Sequence, residues 1–370
     1  MSRFRFWVAE VLSGDIVGEF RLVGSSSWSN RFGGGQFRAN VSLSHLRTRN
    51  GSSPDWGAVE QVMDWCTGGK YSVVVEMGST IVGEWLIFSH EPTTSEGHVT
   101  ISGFEWDGYP AFRSLNSVLK YDDVDQMTIA KDLLDSVYLS FQSELNMTIP
   151  TPPASGVTRT MDYKNQTAYY SDLLDEISLP DDGFDWRVEP SVTRENGAPT
   201  KVNRTIVYGH PTLRRSSTIV VDHDGPGARS GNCVAFTQGY DFARSAEAVY
   251  GVGPGEGTKR PIVGLVDTGL VLQGYLATTK HVSFPSVSHI PTLTNLTRGE
   301  LVAAQDLRDP MQARLLIDKT AGFPRVGDRI GLQVERNYAF PDGVVGLARI
   351  GEVTLNISGH ETPYVDIQAI

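Results

Sequence analysis

The sequence predicts a mainly β protein with α/β insertions. Two observations carry this. Short runs of Val, Ile and aromatic residues with a period of two fill both ends of the chain. Three segments nearer the middle switch to the 3.6-residue period of helices. The 38 Gly and 19 Pro follow no period, so they read as turn residues and not as a collagen-like repeat. At 370 residues the chain has room for two or three domains, at about 150 residues each.

The first stretch, to about residue 115, reads as β. Phe4, Phe6 and Val8 alternate with Arg5 and Trp7, and Ile16, Gly18, Phe20 and Leu22 repeat the alternation. A glycine loop at Gly33, Gly34 and Gly35 precedes Val41, Leu43 and His45. Further strands follow at Tyr71 to Met77, Ile81 to Phe88 and Val99 to Trp106. Between them Trp56, Val59, Val62, Met63 and Cys66 stand at helical spacing. Such a set suggests a small barrel or sandwich.

At Asp122 the period changes. Met127, Ala130, Leu133, Leu134 and Val137 share one helix face, behind an acidic start that suits the helix dipole. A Pro- and Gly-bearing loop leads to a second helix through Tyr169, Leu173, Leu174 and Ile177, which stops before Pro180. Phe184, Trp186 and Val188 then mark a strand, so two helices feed a strand as in an α/β unit. Strands follow at 202–208, 217–222, 232–240 and 262–267, with a flexible loop at Gly251 to Gly257. A third helix is predicted at about 296–309, with Leu301, Val302, Gln305 and Leu307 along it. The tail returns to β at 314–319, 329–335, 344–357 and 365–370.

Composition excludes several classes of function. Thirty-two basic and 43 acidic side chains give a net charge of −11, which argues against a protein that coats DNA. No apolar run reaches the 18 residues of a membrane span. Charges at Arg3, Arg5 and Glu10 interrupt any signal-peptide core. The Asn-x-Ser/Thr patterns at Asn40, Asn50, Asn146, Asn165, Asn203, Asn295 and Asn356 then read as a by-product of composition. Cys66 and Cys233 lie far apart without a CxxC, and two separately buried thiols are expected.

Each candidate for chemistry fails on spacing or context. Gly251, Gly253 and Gly255 imitate a dinucleotide fingerprint, but Thr258 to Pro261 lead into a strand where the fingerprint needs a helix. Gly33 to Gly35 and Gly68, Gly69 and Lys70 lack phosphate-loop spacing. Asp222, His223 and Asp224 could face a metal from a strand end, but the run enters a turn at Gly225 and Pro226 with no second cluster nearby. His281 and His289 read as loop and strand surface, and no HExxH or GxSxG is present. The pairs Asp122/Asp123 and Asp181/Asp182 resemble glycosidase carboxylates in type only, and read as caps and turns. The expectation is no catalytic, cofactor-binding or metal-binding residue. Six of the seven tryptophans stand at apolar positions and read as core. Trp28, in the Ser-rich loop SSSWSNRF, is the exception and is a candidate ligand or partner contact.

Four segments together resemble one family. They are VGEWLIFSHEPTTSEGHVTISGFEWDGYPAFR (82–113), DDVDQMTIAKDLLDSV (122–137), YSDLLDEISLPDDGFDWRVEP (170–190) and FPRVGDRIGLQVE (323–335). They are similar to the first-barrel end, the first α/β helix, the helix with its F-x-W strand, and the late Gly-Asp strand of tail-tip (baseplate) hub proteins of long-tailed bacteriophages. The nearest likeness is to minor tail proteins of phages that infect actinobacteria. The resemblance implies two small β-barrels joined by interlocked α/β segments: residues 1–115 as the first barrel, 116–315 as α/β segments with interleaved strands, and 316–370 as closing strands of the second barrel. It implies a non-enzymatic structural virion protein at the distal end of the tail. That role is a homotrimeric ring between a sixfold tube and threefold tip proteins, around the DNA exit path. The implied partners are the distal tail protein or tail tube above, the tape-measure C-terminus, and tip or fibre proteins, with DNA only in transit and no membrane anchor. Two readings from other classes stay open: a receptor- or carbohydrate-binding tail protein, and a cell-wall glycoside hydrolase.

Overall fold

A computed structural model of the chain describes residues 4–48, 53–93, 97–139, 145–163, 168–178, 182–223, 231–257, 260–284, 287, 289–307, 309–320, 322–358 and 364–369. Arg3, Asn50, Asn165, Pro180, Asp181, Asp224, Gly225, Pro226, Thr258, Lys259 and Ile370 lie outside the described residues.

The first β region contains β1 (Phe4–Glu10), β2 (Ile16–Phe20), β3 (Leu22–Arg31), β4 (Gln36–Ser42), α1 (Trp56–Trp65), β5 (Tyr71–Met77), β6 (Thr80–Thr93) and β7 (His98–Glu105). Phe4, Phe6 and Val8 enter the core on one face of β1. Trp7 and Ala9, on the other face, are buried too, against Val74 and Val202. Helix α1 is capped by Asp55, whose side chain accepts from the Ala58 N–H. It packs through Val62 and Met63, followed by Cys66, while Trp56 in its first turn is 67% exposed and not core as its spacing predicts.

The middle region holds β8 (Leu119–Asp125), α2 (Gln126–Tyr138), β9 (Met147–Thr148), β10 (Thr158–Tyr163), α3 (Tyr170–Ser178), β11 (Asp185–Glu195) and β12 (Ala198–Gly209). Met127, Ala130, Leu133, Leu134 and Val137 are all buried, as the helical period predicts. In α3 the buried tyrosine is Tyr170 and not Tyr169, which is 51% exposed. Helix α3 begins at Tyr170, one residue later than the tyrosine that the pattern assigns to its apolar face. The β11–β12 hairpin turns at Asn196 and Gly197, both with positive φ (50° and 83°), the dihedrals that favour an Asn-Gly turn.

The last region contains β13 (Arg215–His223), β14 (Cys233–Thr237), β15 (Ala248–Val252), β16 (Ile262–Val266), α4 (Gly269–Leu272), β17 (Thr279–Ser283), α5 (Ile290–Gln305), β18 (Met311–Leu316), β19 (Asp328–Val334), β20 (Val344–Ser358) and β21 (Tyr364–Ala369). Helix α5 starts six residues before its predicted start, because Pro291 sits in the first turn, where a missing N–H does no harm. Its buried face is Leu293, Leu296, Leu301 and Ala304, and Val302 faces outward. It covers one face of the small sheet β16-β15-β17.

The mainly β class is as predicted, but the barrels are not closed. One long sheet runs β14-β18-β21-β20-β3-β4-β7-β6-β5-β1-β2, with β19 and β13 branching from β20. Strand β20 is the splice. Its first half pairs with β19, and its second half lies between β21 and β3. The two β regions therefore share one sheet and one apolar cluster, from Phe4 through Trp85 to Ile367. At the first corner β2 passes into β3 across Arg21, whose carbonyl accepts from the Ser42 N–H. At the second, among the described residues, no ladder joins β13 to β14. Asn232 spans that gap instead, accepting from the Asp222 N–H (2.9 Å) and donating to the Val220 carbonyl (2.7 Å).

Asn232→Ala removes both links and leaves a backbone N–H and a carbonyl unpaired. Two hydrogen bonds of this kind are worth about 1–3 kcal/mol together. Urea unfolding should show a loss of that order, and an unchanged midpoint would show that strand packing alone holds this corner.

Candidate functional site

Pairing register sorts the long sheet into an apolar and a polar face. Inward lie Trp28, Phe37, Ala39, Ile101, Val353, Leu355, Val365 and Ile367. Outward, one cross-strand row reads Tyr364, Asn356, Ser27, Arg38, Ser102 and Ser89 over six strands. A second row reads Arg314, Asp366, Thr354 and Ser29, and a third Gln312, Gln368, Glu352 and Arg31. Two open hollows on this face, of ≈ 470 Å³ and ≈ 640 Å³, share Glu352 and Thr354 and so form one surface across both β regions. Its polar groups bond laterally. Arg314 makes a bidentate pair with Asp366 (2.7 and 3.1 Å), Ser89 meets Ser102 (2.6 Å), and Thr100 donates to Asn40 (2.8 Å). Phe88, Phe104 and Phe112 cluster near one hollow, with ring centroids 4.7–4.9 Å apart.

Trp28 borders the larger hollow, but its side chain turns away from this surface. It lies in β3 and not in a loop, is 1% exposed, and meets Phe4 and Phe6 edge-on and Phe37 stacked. Its flanking serines have the composition of a loop, but strand alternation sends Ser27 and Ser29 outward while the tryptophan between them turns in.

The first β region is fastened to the hairpin by buried charge. Arg204 of β12 binds both carboxylate oxygens of Glu84 (2.7–3.1 Å) and the carbonyls of Val11 and Leu145, beneath the Trp106 ring. Glu76 accepts from the Trp7 indole N–H and pairs with Arg194. Glu105 accepts from the N–H groups of Gly35 (2.7 Å) and Arg31 (3.1 Å) and from the Asn30 amide, and pairs with Arg187 (3.3 Å). Asp107 accepts from the Val188 N–H (2.6 Å). The hairpin in turn holds the last region, through Asp185 with Arg349 and Glu189 with Arg215. Burial raises Glu105 above the usual carboxylate range, against the pull of Arg187 and the N–H donors. Burial also pushes Asp107 up to about 7, opposed by Arg187 and reinforced by the Glu105 charge. Two carboxyls thus face one guanidinium, and Asp107 Oδ2 has no hydrogen-bond partner. None of these carboxylates stood out in the sequence, because each is a single acid within an apolar strand or turn.

The residues weighed from the sequence are placed elsewhere. Gly251 lies in β15 beneath α5, where an added Cβ would sit 1.9 Å from Thr297 Oγ1, so close packing explains this glycine. The Asp222 backbone N–H binds Asn232, and the cluster's third member, Asp224, lies outside the described residues. His281 stacks on Tyr250 (5.1 Å) and His289 precedes α5, its Nδ1 3.2 Å from Thr292 Oγ1. Asp122 and Asp123 lie in β8, where Thr160 meets both. The cap of α2 is Asp125, which accepts from the N–H groups of Met127, Ser155 and Gly156. Asp182 pairs with Arg159 (2.6 Å). Both cysteines are buried and unpaired, and burial raises their thiols to about 12 (Cys66) and about 11 (Cys233). Among the described residues no group of three or more His, Cys, Asp or Glu could hold a metal ion.

Solved structures share this fold. The tail protein from Neisseria meningitidis MC58 is similar with a TM-score of 0.58 and 12% identity, over 98% of this chain and 96% of that one. The 43 kDa tail protein of prophage MuSo2 from Shewanella oneidensis gives 0.57 and 10%, over 99% and 98%. Prophage tail protein gp18 from Listeria monocytogenes EGD-e gives 0.51 and 12%, over 98% and 94%. No family model and no curated protein matches the sequence. At these identities the likeness is one of fold.

Asp107 generates a pH dependence. Its folded value is about 7, whereas an unfolded Asp titrates at about 3.9. The stability it contributes is therefore fully present below about pH 4 and is lost as pH rises through about 7. Asp107→Asn is neutral throughout and lacks this dependence. Wild-type stability should fall relative to the variant between pH 4 and 8, at up to about 1.4 kcal/mol per pH unit. Urea titrations across that range check it, and a constant difference would contradict the assignment.

Proposed function

We propose that this chain is a structural virion protein of a phage tail, and within it a tail-tip hub. Three copies form a ring that joins the sixfold tail tube to threefold tip proteins and surrounds the DNA exit path. The observation that carries this reading is the fold likeness to prophage tail proteins over nearly the whole length of both chains. In this arrangement residues 1–115 make the first β unit, residues 116–315 the α/β segments with interleaved strands, and residues 316–370 the closing strands of the second. Two β units per chain give six around a threefold axis. Heterologous contacts between copies close into a ring when the rotation closes.

The polar face of the long sheet suits the wall of such a channel. Its hollows carry Arg38 and Arg314 against Glu352 and Asp366, so charge balances, and Arg314 is already held by Asp366. A wall of unpaired basic residues would bind phosphate and retard DNA in transit. The remaining partners are the distal tail protein or tube above, the tape-measure C-terminus, and tip or fibre proteins. Among the described residues no helix is long and apolar enough to cross a membrane. The role is mechanical and not enzymatic. The receptor- or carbohydrate-binding alternative rested on Trp28 and the Ser-rich loops, and the burial of Trp28 takes away the first of these.

Native mass measurement of the chain and copy counting in assembled tails test the ring, with threefold stoichiometry expected. A stable monomer in virions or sixfold copy number would refute it. Glu352→Lys with Asp366→Lys converts the balanced face to a basic one. Particles carrying both should assemble and eject DNA more slowly, with the defect relieved by added salt. Unchanged ejection kinetics would remove this face from the DNA path.

A further inference from the structure

A small cavity lies where the first β region, the hairpin and the last β region meet. Its volume is ≈ 30 Å³, and Arg187, Arg215, Arg325, Glu189 and Asn30 line it with apolar neighbours. A water takes about 30 Å³ of liquid volume, so an oxyanion would place only part of itself in the cavity and the rest in the space that adjoins it. The lining sets three guanidinium groups against one carboxylate. Glu189 pairs with Arg215. Arg187 is 6% exposed and gives one Nη2 bond to Glu105, while its Nε–H has no partner. A buried, unpaired guanidinium N–H is costly unless a guest accepts from it. Arg325 is exposed at the mouth, where its side chain makes one long bond to the Ile81 carbonyl (3.4 Å). Behind the lining, Asp328 accepts from the Arg325 backbone N–H (2.9 Å).

The cavity adjoins an open groove of ≈ 530 Å³. The two share Arg325, Glu189 and Pro190, and the groove adds Arg194, Ser79 and Ser191. Burial, with the like charges of Arg187 and Arg325 and against the pull of Asp328, lowers Arg215 to about 10. Guanidinium groups bind planar or tetrahedral oxyanions through paired N–H donors.

We infer that this junction is an oxyanion-binding site in which Arg187, Arg215 and Arg325 receive a small carboxylate or phosphate group entering through the groove. The carboxylate can be an acidic side chain or chain terminus of a partner protein, and the phosphate a free ion. The site does not depend on the hub reading, since it rests on the lining alone.

The test is thermal unfolding of the full chain titrated with sodium phosphate or, separately, with sodium acetate. Sodium gluconate, whose anion is too bulky for the cavity, holds ionic strength constant. Arg325→Gln removes the donor at the mouth without touching the buried pairs. Arg336→Gln, an exposed arginine elsewhere, is the control. A saturable rise in midpoint is expected for the wild type and the control, with half-saturation weakened about tenfold in Arg325→Gln, the loss of one charge-assisted bond. Saturation by both anions, or by phosphate alone, supports a free-ion guest. Saturation by acetate alone supports a protein carboxylate. Non-saturating rises of equal size in all three proteins would overturn the site and leave the cavity to water.

Discussion

The fold depends on the ion pair between Arg204 and Glu84. Both side chains are fully buried, on strands 120 residues apart in sequence. Removing two charges from water is a heavy penalty, and attraction alone seldom offsets it. Here it is offset by saturation. The guanidinium reaches both Glu84 oxygens and the carbonyls of Val11 and Leu145, with an indole ring against its plane. A shift of the hairpin along the first sheet would break several of these bonds at once. Removing either partner strands the other charge, which costs about 3–5 kcal/mol in buried pairs of this kind. The pair therefore acts as a register pin, and Glu76–Arg194 and Glu105–Arg187 extend it along the same hairpin.

That pin explains how one sheet can serve two β regions. Strand β20 is long enough to pair with β19 at one end and β3 at the other, and such a splice could slide by a residue. A slip of one residue would turn Val353 and Leu355 outward and Thr354 inward. The hairpin opposes this from behind, because β11 grips the first region through Arg187 and the last through Asp185 and Glu189. With the inner face fixed by core and charge, the outer face carries laterally bonded polar rows, with the Phe88, Phe104 and Phe112 cluster beside one hollow.

The helices and their faces were legible because each obeys a local rule. Met127 through Val137 recur at helical period, and all five predicted positions are buried. The errors have local causes as well. Trp56 kept the period but stands exposed in a first turn, and α5 began early because a proline in the first turn imitates a loop. Trp28 was hidden by its own neighbours, since serines in an alternating strand look like a loop until the pairing partner is known.

By itself the sequence determined the β-rich class, the short helices and the lack of any contiguous catalytic signature, because those follow from periodicity and spacing. The tertiary structure decided what depends on residues distant along the chain. It left the barrels open at Arg21 and Asn232, joined both regions through β20, and gathered Glu84, Glu105 and Asp107 around arginines some 80 to 120 residues away. A lone acid in an apolar strand carries no local sign of its partner. Only the packing of strands, with the loss of water between them, makes such a charge the point on which the fold turns.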